Sequence, residues 1–481
     1  RMTGRATPLG LAAGVAVATF GGQPRLRWGR RYHAVASPAA TWLDEVIQTL
    51  ESCPELLARL PVVANTTMTV RGDRLVIPDQ PRRVGQVASV DAVLRLTTPV
   101  RVAVEAARAP IRMSELAAKV REVLPSAPAD KITALLAELV SRRALITSLY
   151  APSTTTDALA HLLEQIDAAD AGAVRHVADL VAALHDIHAL MSSHNSQLGS
   201  NVAWVRDDLT ATMRMAQPCS RHPLALDLRL DATVVLPEPI AREAERAALL
   251  LTRLSAHTFG RASWRDYHMR YYERYGIGSM VPLRDGVDTD AGIGWPDGYP
   301  DAAAERHAPA ARRDERLLSL AQAAALDGRR EVILDAELLD ALDIGPDQPR
   351  LPPHLELCVR IHARDQQALI RGDFRVEVVS VSRGVGTLCG RFLQVLTPDE
   401  RQRLSAELAD LPTSDADTIP AQLSFAPLDP ADAHVARAPC VLPTVISLAE
   451  HRGPDPDVLT GCSPTGACST TTNGTTPPTK P

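Results

Sequence analysis

The chain has 481 residues, of which 45% are apolar and 22% charged, and its formal net charge is −6. These are ordinary globular values that exclude wholesale disorder, collagen and extended coiled coil, and the length sets an expectation of about three domains. The negative balance argues against a protein that coats nucleic acid everywhere, the 4% aromatic content against abundant stacking platforms, and the lack of a long uncharged apolar run against a membrane span.

The balance is uneven along the chain. Residues 1–150 hold 20 Lys+Arg against 12 Asp+Glu, a net of +8, which leaves −14 for the rest. A basic front end on an acidic body points to one anionic partner bound locally. Only Lys119, Lys131 and Lys480 are lysines, which reads as a GC-rich coding bias. The seven cysteines are irregularly spaced and form no C-x-x-C pair, a pattern of a reducing compartment.

In chain order, Leu9–Phe20 is apolar, short and Gly-rich. The spacing of Trp42, Leu43, Val46, Ile47 and Leu50 predicts a helix within 39–60. Val62-Val63 and Leu75–Ile77 flank Arg71-Gly72-Asp73-Arg74, a hairpin signal, and 84–97 reads as a further strand. Three helices follow: one from Pro99, one capped by Ser114, and one over 128–143. Ala144–Leu149 then reads as a strand. Strands, three helices and a strand is a winged-helix order, which suits DNA or peptide.

Beyond this, 157–195 predicts a helical pair, Asp227–Val235 a strand and Glu238–Leu254 a helix. Trp264, Tyr267, Tyr271, Tyr272 and Tyr275 recur at helical spacing and predict core or interface packing. Residues 285–300 read as loop, 301–330 as helix and 354–396 as sheet. From Thr460 to Pro481 there are ten Ser/Thr and one charged residue, too little to build a core. That tail reads as flexible or out of frame. A rival reading is a substrate-like segment in which Thr460, Ser463, Thr465 and Ser469 lie near Cys462 and Cys468.

Arg1 and Arg5 could clamp a phosphate or carboxylate from one helix face, while their spacing alone favours a solvated helix end before the stop at Pro8. An arginine within an apolar sheet, Arg391 in Gly390-Arg391-Phe392, calls for an anionic partner. The glycines at 292, 294 and 298 and at 384, 386 and 390 lack dinucleotide spacing. His176, His185, His188 and His194 have no metal-ligand motif around them and read as exposed polar positions.

The stretches RMTGRATPLGLAAGV, PELLARLPVVANTTMTVRGDRLVIP, LALDLRLDATVVLPEPIAREAERAA, YYERYGIGSMVPL, GRFLQVL and VARAPCVLPTVISLAEHR occur in this order. Together they resemble the lantibiotic dehydratase family over roughly residues 1–453. The opening fits the family's R-x-x-x-R-x-T-P-x-G-L-x-x-G-V pattern. The resemblance implies an α+β, multi-subdomain fold of mixed helices and antiparallel sheets, with an embedded winged-helix-like peptide-recognition element. It implies glutamyl transfer from glutamyl-tRNA to Ser or Thr hydroxyls of a precursor peptide, ahead of elimination to dehydroamino acids. Glutamyl-tRNA is then a co-substrate, and no bound cofactor or metal is expected.

Residue by residue, the resemblance assigns site roles to Arg1, Arg5 and Thr7 in the opening motif, to Asp227 and to Arg391. Where the family carries an acidic residue ahead of the helix that Trp42 opens, this chain has Ala39. The implied organisation is 1–83 as the start of the glutamylation region, 84–150 as the leader-peptide recognition element, 151–453 as the remainder and 454–481 as a disordered tail. The segment before the opening motif and the elimination region are expected to lie outside this chain. Expected partners are the precursor peptide and glutamyl-tRNA, with a cyclase, a separate elimination protein and a second copy as further ones. The expected place is the cytoplasm, or the inner face of the membrane. An inactive leader-binding scaffold or a truncated remnant is the alternative. A winged-helix DNA reader fits less well, because Asp130 and Glu138 balance Lys131, Arg142 and Arg143 on the third helix.

Overall fold

A computed structural model describes residues 12–77, 91–196, 202–219, 222–254, 262–296, 312–342, 352–382, 384–413, 418–427, 429–453 and 458–460. Helices and several small sheets are intermixed, so the architecture is α+β as expected.

The main core is built first along the chain. In the helix Ala40–Glu51 the apolar spacing puts Trp42, Leu43, Val46, Ile47 and Leu50 on one face, and all five are buried. Full burial of each such side chain is worth about 1.5–3 kcal/mol. The Trp42 indole N–H is shared between the carbonyls of Met213 and Gln217, both at 3.2 Å. Pro54 then starts the short helix Pro54–Leu57. This core runs on through 56–77, the three helices beyond residue 98, and the pair Ala158–Ala168 and Ala178–Asn195.

A three-stranded antiparallel sheet, Thr69–Arg71, Arg74–Ile77 and Ala92–Arg95 in that order, precedes the helices Thr98–Ala106, Met113–Val123 and Ala129–Ser141. Residue 84 lies between the second and third of those strands. The hairpin turn uses Gly72 at φ 60°. Ser114 is not a cap as expected. Its amide donates to the Ala58 carbonyl at 3.0 Å, because the short strand Ile111–Arg112 pairs with Pro61–Val62 and starts the helix earlier, at Met113.

The strand expected over 227–235 is two strands, Leu224–Arg229 and Ala232–Pro237. Each is the middle of a three-stranded sheet. Ala12–Val15 and Ala18–Gly21 run parallel on one side, while His33–Pro38 and Arg25–Trp28 run antiparallel on the other. The two sheets form one ribbon interrupted at 230–231. Gly29 packs at the interruption, where an added Cβ would meet the Asp231 carboxylate at 1.9 Å. A side chain there would force the Asp231 carboxylate to move, away from the Arg31 amide that donates to it at 3.0 Å.

The region 354–396 is likewise not continuous sheet. Glu356–His362 and Arg375–Ser382 pair antiparallel around the helix Gln366–Arg371, and Gly390–Val395 is a 3-10 helix. Ala421–Phe425, Thr444–Leu448 and Val458–Thr460 form a parallel sheet, so the last strand falls within the segment read as tail. The aromatic helix Ala262–Tyr275 does not bury its rings in the core: Trp264 is 45% and Tyr272 44% exposed. Its rings pack on one another and on the following loop, where the Tyr271 hydroxyl donates to the Ser279 carbonyl at 2.7 Å. No helix among the described residues is long and apolar enough to cross a membrane.

Candidate functional site

Asp227 sits on the middle strand of the first ribbon sheet, between Ala13 and Val35. It points to the inner face and is only 3% exposed. A lone carboxylate there would be strongly disfavoured, so a partner is required. Arg391 supplies it. The 3-10 turn Gly390–Val395 buries Arg391, Phe392, Leu393 and Val395, and Arg391 Nη1 lies 3.5 Å from Asp227 Oδ1. The guanidinium also stacks over the Phe392 ring, 4.2 Å from its centroid. Burial pulls the Arg391 pKa below its ordinary value, and the Asp227 charge opposes that pull.

His434 completes the group. It lies on the short helix Ala433–Ala436, and its Nε2 is 3.4 Å from Asp227 Oδ2. These separations exceed those of tight charge-assisted hydrogen bonds, about 2.7–2.9 Å. The carboxylate is neutralised yet retains acceptor capacity.

Asp227 and His434 open onto a cavity of about 340 Å³. Its walls come from the strand His33–Pro38, the helix Ala40–Glu51, the loop around 143–158, the helix Ala178–Asn195 and the segments 425–434 and 449–450. Asn195 holds the first strand in place. Its carboxamide accepts from the Ala36 amide at 2.7 Å and donates to the Ala36 carbonyl at 2.8 Å.

A second charged group lines the same cavity. Arg143 Nη2 donates to Asp44 Oδ1 at 2.9 Å, and Asp44 Oδ2 accepts from Gln48 at 2.7 Å. The Arg143 guanidinium lies over the Tyr150 ring, 4.7 Å from its centroid. Behind it, Thr147 donates to Glu51 at 2.6 Å. Burial pushes the Glu51 carboxyl up to about 7, against the Thr147 hydrogen bond and the Arg143 charge. Burial also pushes the Tyr150 phenol well above its usual value, so it stays a neutral donor.

Of the residues picked from sequence, Asp227 and Arg391 are brought together. Arg1, Arg5 and Thr7 lie outside the described residues. Arg391 is fully buried in a helical turn, not half-buried in a sheet. Ala39 is the N-cap of Ala40–Glu51 and gives no side-chain cap; its neighbours Pro38 and Ala40 line the cavity.

Sequence reasoning missed His434, Asp44, Arg143, Tyr150 and Glu51. Of the four histidines read as exposed, His194 is buried. His185 faces Asp167 at 3.0 Å, and His188, on the cavity wall, faces Asp157 at 3.2 Å. No group of side chains among the described residues is arranged to hold a metal ion.

Comparison with known proteins identifies the family. The family description "Lantibiotic dehydratase, N terminus" matches residues 1–461. The subtilin biosynthesis protein SpaB of Bacillus subtilis is 25% identical over 311 residues, 63% of this chain and 29% of SpaB. The crystal structure of the tRNA-dependent lantibiotic dehydratase MibB from Microbispora sp. 107891 superposes with a TM-score of 0.77 at 31% identity. That match covers 92% of this chain and 43% of MibB. The chain therefore spans less than half the length of either relative. With a family match over nearly its whole length, and a fold shared with MibB, the chain belongs to the lantibiotic dehydratase N-terminal family.

Proposed function

We propose that this chain transfers a glutamyl group from glutamyl-tRNA to Ser or Thr hydroxyls of a ribosomal precursor peptide. The observation that carries the reading is the buried Arg391–Asp227 pair, with His434 beside it, at the wall of a cavity of aminoacyl size. The ester on the tRNA is already activated, so transfer needs positioning and charge stabilisation. The peptide hydroxyl attacks the ester carbonyl carbon and forms a new ester. The bond from that carbon to the tRNA ribose oxygen breaks, and the hydroxyl proton passes to that oxygen. In this reading Asp227 orients the His434 imidazole, which relays the proton, and Arg391 is the cation paired with Asp227. Arg1, Arg5 and Thr7 contact the acceptor end of the tRNA or its acyl group.

The same reading gives the sheet and helices around 84–150 to the leader peptide, which adds as a strand along the exposed edge Ala92–Arg95. The basic front end meets tRNA phosphates or an acidic leader. Elimination falls to a further domain or protein, ring closure to a cyclase, and a second copy is a further partner. The place is the cytoplasm or the inner membrane face.

The test is a transfer assay with the purified chain, glutamyl-tRNA and a precursor peptide, read by mass spectrometry. A gain of one glutamyl unit per site supports the reading, and Arg391→Ala and Arg5→Ala should remove it. Ala39 favours a second reading, an inactive leader-binding scaffold. Peptide binding without any mass gain would select that reading, and neither would leave a remnant.

A further inference from the structure

Arg143 occupies a backbone position that favours glycine. It follows the helix Ala129–Ser141 with φ 55°. Its amide donates to the Val140 carbonyl, and the Ala144 amide donates to the Leu139 carbonyl, both at 2.8 Å. This is the Schellman termination, whose left-handed residue is usually glycine because a Cβ costs energy there. An arginine kept in such a place points to work done by its side chain.

The surroundings show what that work needs. The side chain is 26% exposed and lines the cavity. Both side-chain hydrogen bonds it donates to described residues leave from Nη2, one to Asp44 and one to the Tyr150 hydroxyl at 3.4 Å. Nε and Nη1 form no hydrogen bond among the described residues. The guanidinium plane is set by the Tyr150 ring beneath it and by Asp44, itself held by Gln48. The other two arginines of the cavity are used differently. Arg401 donates to the carbonyls of Leu393 and Gln394, and Arg437 to those of Pro152 and Thr155. Arg143 is the pre-oriented fork of the three, and a planar fork matches a carboxylate in two-point contact.

We infer that Arg143 is a specificity-determining residue that receives the side-chain carboxylate of the aminoacyl group in this cavity. The inference rests on the aminoacyl-transfer reading above and deepens it. The cavity, about 340 Å³, is at the small end of ligand pockets, which suits an aminoacyl group with the tRNA body outside. Glutamyl and glutaminyl groups are near-isosteric, so shape cannot separate them. A fixed fork of N–H donors can, because a carboxylate accepts at both oxygens whereas an amide turns its NH2 donor against the fork.

The test uses the full 481-residue chain and two stable probes, the glutamyl and glutaminyl amides of 3′-amino-3′-deoxyadenosine, titrated by calorimetry. The wild-type chain should bind the glutamyl probe about tenfold more tightly than the glutaminyl probe. Arg143→Gln should bring that ratio to about one with the glutaminyl affinity unchanged. Arg143→Gly, which suits the left-handed backbone, should do the same, separating recognition from folding. A wild-type ratio near one, a ratio unmoved in both variants, or a parallel loss of both affinities overturns the assignment and leaves the aminoacyl reading standing. Binding of neither probe by the wild-type chain removes both.

Discussion

The cavity has two charged ends built in opposite ways. At one, Arg391 and Asp227 are almost wholly buried, yet their closest atoms are 3.5 Å apart. At the other, Arg143 and Asp44 are partly exposed, and their contact is 2.9 Å. The first pair is desolvated and loosely matched, so its net worth to stability is small although loss of one member is severe. The second is tightly matched, stacked on an aromatic ring and tied to a neighbouring amide. A charged pair can thus be held at longer range in a dry interior or locked as a rigid template. The difference follows from which bonds are already made, not from burial alone.

The sharpest way to break this comparison is to remove one buried partner. Arg391→Ala should destabilise the fold by about 3–5 kcal/mol and abolish transfer. The double variant Arg391→Met with Asp227→Leu should recover most of that stability while staying inactive. Denaturant unfolding and the transfer assay read the two effects, and a stable, active double variant would show that the pair has no part in function.

The next effect concerns Glu51, behind the Arg143 end. Its carboxyl titrates near 4.5 when unfolded and is pushed up to about 7 in the fold, chiefly by burial. Between those values the folded state holds a proton that the unfolded chain has released. Stability should therefore fall as pH rises across that window and level off above it. Glu51→Gln keeps an acceptor for Thr147 and should remove the slope, gaining up to ~3 kcal/mol above neutrality. An unchanged slope in unfolding measured from pH 4 to 8 would sink this account.

A smaller effect is expected at Ala39. A carboxylate at this N-cap can accept helix amide protons, so Ala39→Asp should add about 1 kcal/mol of stability. If the same substitution also raises transfer, the family's acidic residue acts on the substrate as well as on the helix. The smallest effect is expected at the exposed Arg142–Glu138 pair, 2.8 Å apart. Arg142→Ala should change stability by about 0.5 kcal/mol or less, a control beside the neighbouring Arg143.

Val202–Ala216, which packs Leu209 and Met213 into the core, was not read as a helix, whereas the helices Ala40–Glu51, Thr98–Ala106 and Ala129–Ser141 were legible in the sequence because each carries a 3.6-residue apolar repeat. The strands were less so. The break at Leu230–Asp231 and the early start at Met113 depend on pairing with distant segments, which local pattern does not encode. Asp227 and Arg391 were legible through their ordered motifs. Asp44 and Glu51 were not, since helix periodicity assigns such positions to the solvated face, and Arg143 and Tyr150 lie outside helices, where no periodicity marks them. One local signal was present: the helix ending at Ser141 passes directly into a strand through Arg142-Arg143-Ala144, with no glycine where the turn calls for one.

The ribbon has a bearing on how the chain is made. Asp227 lies on a strand flanked by segments from the first forty residues, and its partners Arg391 and His434 come from far downstream. During synthesis the main core, which takes in residues from Ala36 to Leu226, can consolidate before the segments 391–450 are made, because its contacts are nearer in sequence. The cavity then gains its last wall only after the segment through Glu450 has left the ribosome. A nascent chain interrupted before that point would lack a closed cavity, so the order of the polypeptide makes this pocket the last part of the molecule to form.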